Sequence, residues 1–103
     1  MTIKKILSSK FAVQYYEVKP RCISALVPLN PVMYRDENKN LVLTGNQHIF
    51  LGKATNGWYG IRSTTAKIRP YRSREFVECQ AHKQVVTGKT ALECAKKLKA
   101  VSP

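Results

Sequence analysis

The sequence has few acidic residues: six Asp and Glu stand against eighteen Lys and Arg in 103 residues, a formal net charge of +12. The excess is uneven, because residues 1–51 carry seven basic and three acidic groups, whereas residues 52–103 carry eleven and three. Self-repulsion of this size opposes folding, and a polyanionic or acidic partner would neutralise it. The charge therefore predicts nucleic acid or an acidic protein surface as the partner, contacted mainly by the second half.

Closely spaced cysteines and long apolar runs are also absent. Cys22, Cys79 and Cys94 are far apart, and an odd number without a pairing motif predicts reduced thiols. The longest nearly apolar stretch, Cys22 to Val27, is too short to span a bilayer. The first apolar run ends at Ser8, well short of a signal-peptide core. We therefore expect a soluble cytoplasmic protein without a membrane partner, in the host cytoplasm if a phage encodes it.

No motif in the sequence specifies a metal, nucleotide or catalytic site. The acidic residues are scattered, whereas a metal-dependent nuclease needs a cluster of carboxylates. The segment GKT at residues 88–90 lacks the glycine that a P-loop requires five positions earlier. An enzymatic alternative rests only on Glu78, His82 and Arg74, which would share one face of a strand. We therefore expect a non-enzymatic protein with no cofactor, no metal ligands and no catalytic residues.

Strand signals cover most of the chain. Branched and aromatic residues bounded by Pro, Gly and polar turns predict short strands, and residues 44–46 predict a hairpin or a bulge within one strand. The period of two is clearest in residues 76–86, where Val77, Cys79, Ala81 and Val85 would share one face. The strands predicted in this way cover residues 11–19, 22–27, 32–34, 41–43, 47–51, 58–62, 66–69 and 76–86.

A helix is predicted near the end of the chain. Thr90 and Glu93 have the spacing of a capping box, and Ala91, Leu92, Ala95 and Leu98 form an apolar stripe at helical spacing. So short a helix needs a sheet to pack on. The fold class is therefore α+β: a small, mainly antiparallel sheet with one C-terminal helix packed on it, in a single domain of residues 1–103. It would comprise an N-terminal β region (1–51) and a basic sheet with the helix (52–103).

The stretch from Trp58 to Phe76 is the main candidate for a binding surface. It contains four Arg and one Lys, although Lys outnumbers Arg twelve to six in the whole chain. Guanidinium groups bind phosphates in a bidentate manner, and aromatic rings stack on bases. A solvated hairpin face with its aromatics in the core is the plain alternative. The candidate nucleic-acid-binding residues are Trp58, Tyr59, Arg62, Lys67, Arg69, Tyr71, Arg72 and Arg74.

Residues 52–100 resemble the AP2-like arm-binding module of phage-type integrases. The shared features are Gly57-Trp58 at the start of a strand, a basic middle strand, and Thr90-x-x-Glu93 at the start of an Ala-rich helix. The resemblance implies a three-stranded sheet that enters a DNA groove, with Arg62, Lys67, Arg69 and Arg72 near the duplex. Integrase activity is not implied, because the chain has a long N-terminal β region and no recombinase domain.

Two functions from different classes follow. The first is a small non-enzymatic nucleic-acid-binding protein that uses the Arg- and aromatic-rich hairpin, with DNA favoured over RNA. The alternative is a small phage or mobile-element adaptor or inhibitor, which binds an acidic or DNA-binding host protein such as a nucleic-acid enzyme. Electrostatic steering would speed association in both cases. The alternative would depend more on an apolar anchor than on Arg69 and Arg72.

Overall fold

The computed structural model describes residues 2–28 and 32–99, with only the backbone for residues 80–82. Within these residues the chain forms one six-stranded antiparallel sheet and two helices, which confirms the α+β class with a helix near the C-terminus. The elements are α1 (Ile3–Lys10), β1 (Tyr15–Lys19), β2 (Cys22–Val27), β3 (Met33–Arg35), β4 (Leu41–Ala54), β5 (Gly57–Arg69), β6 (Val77–Gly88) and α2 (Ala91–Lys97).

The sheet joins both halves of the sequence. Its strand order is β1-β2-β4-β5-β6, and β4 crosses the sequence boundary at residues 51 and 52. β3 pairs with the first residues of β4, on the same edge on which β2 pairs with the last ones. The long meander of β4, β5 and β6 extends beyond β1 and β2 and carries β3 on its projecting part. The molecule measures 48 × 26 × 21 Å.

Two irregularities in register divide the sheet into a body and an arm. β4 has two residues between Thr44 and Gln47 opposite a single residue of β5, and β6 has one extra residue, Ala81, opposite the step from Thr64 to Thr65. Such bulges bend and twist a strand, and here they lie side by side across three strands. We call the distal part the arm: it comprises β3, the loops 36–40 and 70–76, and the strand segments 41–44, 66–69 and 77–79.

Both helices pack on the same face of the body. Alternation along the strands places Ile23 and Ala25 of β2 beside Leu51 and Ile49 of β4, and all four are buried. Ile6, Leu7 and Phe11 from the first helical segment and Ala91, Cys94, Ala95 and Leu98 from the last one complete this core. The opposite face of the body, which we call the open face, carries neither helix.

The N-terminal helix was not predicted from the sequence. Thr2 caps it by accepting a hydrogen bond from the backbone N–H of Lys5 at 3.2 Å, and Ile6 and Leu7 are buried. At its end, Lys10 donates hydrogen bonds from Nζ to backbone carbonyls at the C-terminus of α2. A cation at this end of a helix offsets the partial negative charge of the carbonyls. The sequence IKKIL is therefore the start of an amphipathic helix.

The C-terminal helix begins where it was predicted. Oγ1 of Thr90 accepts a hydrogen bond from the backbone N–H of Glu93 at 3.1 Å, as a capping box requires. The Glu93 carboxylate accepts from the backbone N–H of Lys89 at 2.8 Å, one residue before the cap itself. Cys94 of α2 is fully buried in the core, where its thiol packs as a small apolar group.

Three strand predictions need correction. The segments 58–62 and 66–69 belong to one strand, β5, because the sheet continues through the polar residues between them. β1 starts at Tyr15 rather than at residue 11, because Phe11 is the C-cap of α1 and is buried in the core. β6 does not alternate without a break: the extra residue Ala81 shifts the register, so Val77 and Val85 lie on opposite faces.

Candidate nucleic-acid interface

The structure separates the eight candidate residues into two groups. Trp58, Tyr59 and Arg62 lie in the body, whereas the other five lie in the arm. Along the single strand β5, eleven residue steps at about 3.3 Å each put Trp58 roughly 36 Å from Arg69. The candidates therefore do not form one surface. The arm group consists of Lys67, Arg69, Tyr71, Arg72 and Arg74.

The three body residues point to different environments. Trp58 is half-buried against the core, on the face that carries the helices. Tyr59 follows it in the strand and lies on the open face, where its ring centroid is 5.9 Å from that of Phe50. Successive residues of a strand point to opposite faces, so one flat ligand cannot touch both rings.

Arg62 is engaged in packing between the sheet and the end of α2. Its Nε donates to Oε1 of Gln84 at 3.2 Å, and the same oxygen accepts from the backbone N–H of Lys99 at 3.0 Å. Partial burial lowers the pKa of the Arg62 guanidinium, because the charged form loses hydration. We therefore assign Arg62 to the body's internal contacts, away from the arm surface.

An aromatic ring with two cations close to it is the main feature of the arm. The Lys39 ammonium lies 5.6 Å from the centroid of the Tyr71 ring, and the Arg72 guanidinium lies 5.4 Å from it. In the same part of the arm, the guanidinium of Arg69 lies 5.7 Å from the centroid of Phe76. Each arrangement is a cation–π contact. We call Lys39, Arg69, Tyr71, Arg72 and Phe76 the arm-tip cluster.

The backbone holds the cluster in a strained conformation. Lys39 has φ +64° and Arg72 has φ +69°, and these are the non-glycine residues with positive φ in the described part of the chain. A non-glycine residue in this left-handed region costs on the order of 1 kcal/mol, and such strain concentrates at functional sites. Both strained residues are those whose cations lie against Tyr71. The strain therefore coincides with the one place where two loops bring cations to a ring.

Hydrogen bonds fix the two loops that carry the cluster. The Asp36 carboxylate accepts from the backbone N–H groups of Asn38 and Asn40, each at 2.9 Å, which closes the loop 36–40. Oδ1 of Asn40 then accepts from the backbone N–H of Tyr71 at 3.0 Å, which ties this loop to the loop 70–76. Asp36 and Asn40 therefore position Lys39 relative to Tyr71.

The arm cations have no carboxylate partner among the described residues. The ion pairs found there join Lys19 with Glu17 at 3.3 Å and Lys97 with Glu93 at 3.4 Å, and both lie in the body. Tyr71 is 51% exposed and Phe76 40% exposed, so the rings beside these cations also face solvent. An arginine that has no ion-pair partner and lies beside an exposed ring retains its capacity to bind a phosphate.

The arm carries only a small part of the net charge. The arm contains six basic and four acidic residues, so most of the net positive charge lies in the body. Part of it belongs to the helices, although Lys10 is bound to α2 and Nζ of Lys97 donates to the carbonyl of Thr87 at 2.6 Å. Exposed lysines such as Lys5 and Lys96 extend a positive potential around the body. The charges of these lysines are spread over the surface of the body, whereas the cations of the arm are grouped around two aromatic rings.

Sequence reasoning missed Lys39 and did not include Phe76 among the site residues. Lys39 lies about thirty positions before the other members, and strand pairing brings it to them. The polar composition of residues 35–40 predicts a turn around Lys39, but the proximity of Lys39 to Tyr71 depends on the register of β4 with β5. Phe76 was noticed only as one of the aromatics of the stretch.

The three residues of the enzymatic alternative do not share one face of a strand. Glu78 pairs with Lys67 and position 82 pairs with Thr64, and residues 64 and 67 of β5 lie on opposite faces, so positions 78 and 82 do as well. Arg74 belongs to the loop before β6, and the side chain of His82 is outside the described residues.

In residues 2–28 and 32–99 there is no cluster of His, Cys, Asp or Glu that could hold a metal ion. Over the same ranges, neither helix is long and apolar enough to cross a membrane.

Comparisons with protein-family models, with curated proteins and with solved structures find no match to this chain.

Proposed function

We propose that this chain is a small non-enzymatic nucleic-acid-binding protein that contacts its ligand through the arm-tip cluster. The observation that carries the proposal is the Tyr71 ring with the Lys39 ammonium 5.6 Å and the Arg72 guanidinium 5.4 Å from its centroid, both cations without a carboxylate partner in the described residues. Phosphates would replace the missing counter-charge, and the exposed rings would contact sugars or bases.

The loops at the end of the arm are the part that fits a groove of DNA, because the arm itself is four strands wide, from β3 to β6. Basic side chains reach phosphates and base edges in the grooves in several classes of DNA-binding protein. The resemblance of residues 52–100 to an integrase arm-binding module supports DNA over RNA. The diffuse charge of the body would add attraction without sequence readout.

Fluorescence anisotropy with labelled duplex DNA, single-stranded DNA and RNA tests this proposal. We expect Arg72→Ala to weaken binding about five- to tenfold at low salt and to reduce the salt slope by about one phosphate contact. The matched control is Arg21→Ala, which removes the same charge from the exposed turn between β1 and β2 in the body. Equal effects of the two substitutions would show that only overall charge matters, and would reject the arm tip as the contact.

Docking of a phage or mobile-element protein on a larger host protein stays the alternative, and one observation favours it. Tyr34 and Val77 lie on the same face of the arm, beyond the helices, and are 50% and 60% exposed; Met33 is 57% exposed. Exposed apolar side chains next to basic ones are typical of protein interfaces. Affinity capture with Val77→Ser and Arg72→Ala separates the two functions. A host protein retained by Arg72→Ala and lost with Val77→Ser would favour docking.

A further inference from the structure

The open face of the body is a sheet surface with aromatic and apolar side chains. Register and alternation place Tyr15 of β1, Phe50 of β4, Tyr59 of β5 and Val85 of β6 on this face, opposite both helices. Tyr15 is 51% exposed and Val85 is 56% exposed. A soluble sheet normally presents polar residues on its solvent side, so these side chains need another explanation.

A depression beside Tyr15 gives this face a place for a flat ring. It has a volume of about 370 Å³ and is lined mainly by Tyr15, Leu26 and Phe50, with Ser24 and His48 as polar groups. Sites for small flat ligands have volumes from roughly 300 Å³ upwards, with a few polar groups in an apolar lining. The depression therefore suits one unstacked base, which His48 and Ser24 can contact through hydrogen bonds.

Glycine at position 52 brings two neighbouring rings together. A Cβ on Gly52 would lie 2.4 Å from Cζ of Tyr59 and 2.8 Å from Cε1 of Phe50. Glycine at this position therefore allows the Tyr59 ring to pack over the strand beside Phe50. The two rings are inclined by 42° to each other, so each offers its own face to a base next to the depression.

Charge decides what can occupy this face. Lys83 lies at its edge and is exposed, and the acidic Glu17 is held by Lys19 at 3.3 Å. A second copy of the chain would bring another net charge of +12 against the first, which opposes face-to-face association. A polyanion with accessible flat rings matches both the aromatic surface and the charge. Duplex DNA does not offer such rings, because its base faces are stacked inside the helix.

We infer that the open face binds single-stranded nucleic acid by stacking its bases on Tyr15, Phe50 and Tyr59. The inference rests on the proposed nucleic-acid-binding function and adds a second contact surface, which is specific for single strands. The strand would extend over the open face of the body while the arm tip holds phosphates at its far end. Stacking on aromatic side chains tolerates any base, so this face would show little sequence preference.

The test compares fluorescein-labelled oligo(dT) of 20 nucleotides with a 20-base-pair duplex by anisotropy. Tyr15→Ala should weaken oligo(dT) binding by at least about fivefold, the loss expected for one stacked base, and leave duplex binding within about twofold. The matched control is Val18→Ala, because Val18 lies on the same strand β1 and is 63% exposed but belongs to the helix side of the sheet, where it pairs with Ile23. As a second readout, photo-crosslinking of 5-iodouracil oligonucleotides followed by mass spectrometry should modify Tyr15, Phe50 or Tyr59.

The outcomes separate this inference from the proposed function. If the wild-type chain binds neither oligonucleotide, both the function and the inference are wrong. If it binds and Arg72→Ala weakens binding, but Tyr15→Ala behaves like Val18→Ala and crosslinks map elsewhere, only the open-face site is rejected. Equal losses for oligo(dT) and duplex would reject the single-strand assignment. A dimer in sedimentation that Tyr15→Ala dissolves would show that a second copy occupies the face.

Discussion

Substitution of Lys10 tests whether this side chain joins the two helices. Its Nζ donates to the carbonyls of Ala95 at 3.3 Å and Leu98 at 3.1 Å, and also to that of Lys96. Ala95 and Lys96 belong to the last turn of α2 and Leu98 is its C-cap, so these carbonyls have no partner within the helix. The substitution Lys10→Met keeps most of the side chain's apolar length but removes the charge and all three hydrogen bonds.

The structure sets the size of the expected effect. A hydrogen bond to a charged group contributes about 1.5 to 3 kcal/mol when buried, and a cation at a helix C-terminus contributes about 0.3 to 1 kcal/mol. Lys10 is only half-buried, and water can replace it at the carbonyls. We therefore expect Lys10→Met to lower the free energy of unfolding by about 1.5 kcal/mol, which for a domain of this size lowers Tm by about 6 to 12 °C.

Thermal and urea unfolding followed by circular dichroism measure this change. The control is Lys5→Met, an exposed position on the same helix, which should alter the free energy of unfolding by less than about 0.5 kcal/mol. If the two variants have the same stability, Lys10 does not bridge the helices, and the packing of α1 on α2 described here would be incorrect.

Two further predictions concern the open face and the start of α2. Gly52→Ala should destabilise the fold by about 1 to 3 kcal/mol in urea unfolding, because the new methyl group displaces the Tyr59 ring; an unchanged midpoint would refute that ring position. The pKa of Glu93 lies below its ordinary value because the carboxylate accepts from the backbone N–H of Lys89 and faces Lys97. Its contribution to stability is therefore complete above the ordinary glutamate pKa of about 4.3 and is lost as the pH falls through the lower folded-state value. The difference in Tm between wild type and Glu93→Gln should shrink over that acidic range, and a constant difference would contradict the assignment.

Local signals predicted some elements of the fold well. β2 has the predicted bounds because Pro20 and Pro28 limit a short run of β-branched and apolar residues. The start of α2 was predicted because a capping box is a local motif whose geometry needs no tertiary information. The helix α1 was missed because it has only eight residues and is stabilised by burial of Ile6 and Leu7 against distant elements.

The register of the long strands could not be predicted. The bulge at Ala81 changes which residues of β6 face the helices, and no residue type in that segment signals it. The eight candidate residues were predicted to form one surface because the sequence shows neither the continuity of β5 nor its pairing with β4. Trp58 and Arg69 belong to opposite ends of β5, and Lys39 joins the arm-tip cluster only through the pairing of β4 with β5.

Amide chemical-shift mapping shows whether nucleic acid binds at the arm tip. The 15N-labelled protein would be titrated with a short duplex and with oligo(dT) at near-physiological salt. We predict that for both ligands the largest shifts occur at Lys39 and in the segment 69–76, with the open face responding in addition only to oligo(dT). Shifts confined to the lysines of α1 and α2, or absent at this salt, would mean that the arm tip is not the binding site and that the basic charge acts only through nonspecific attraction.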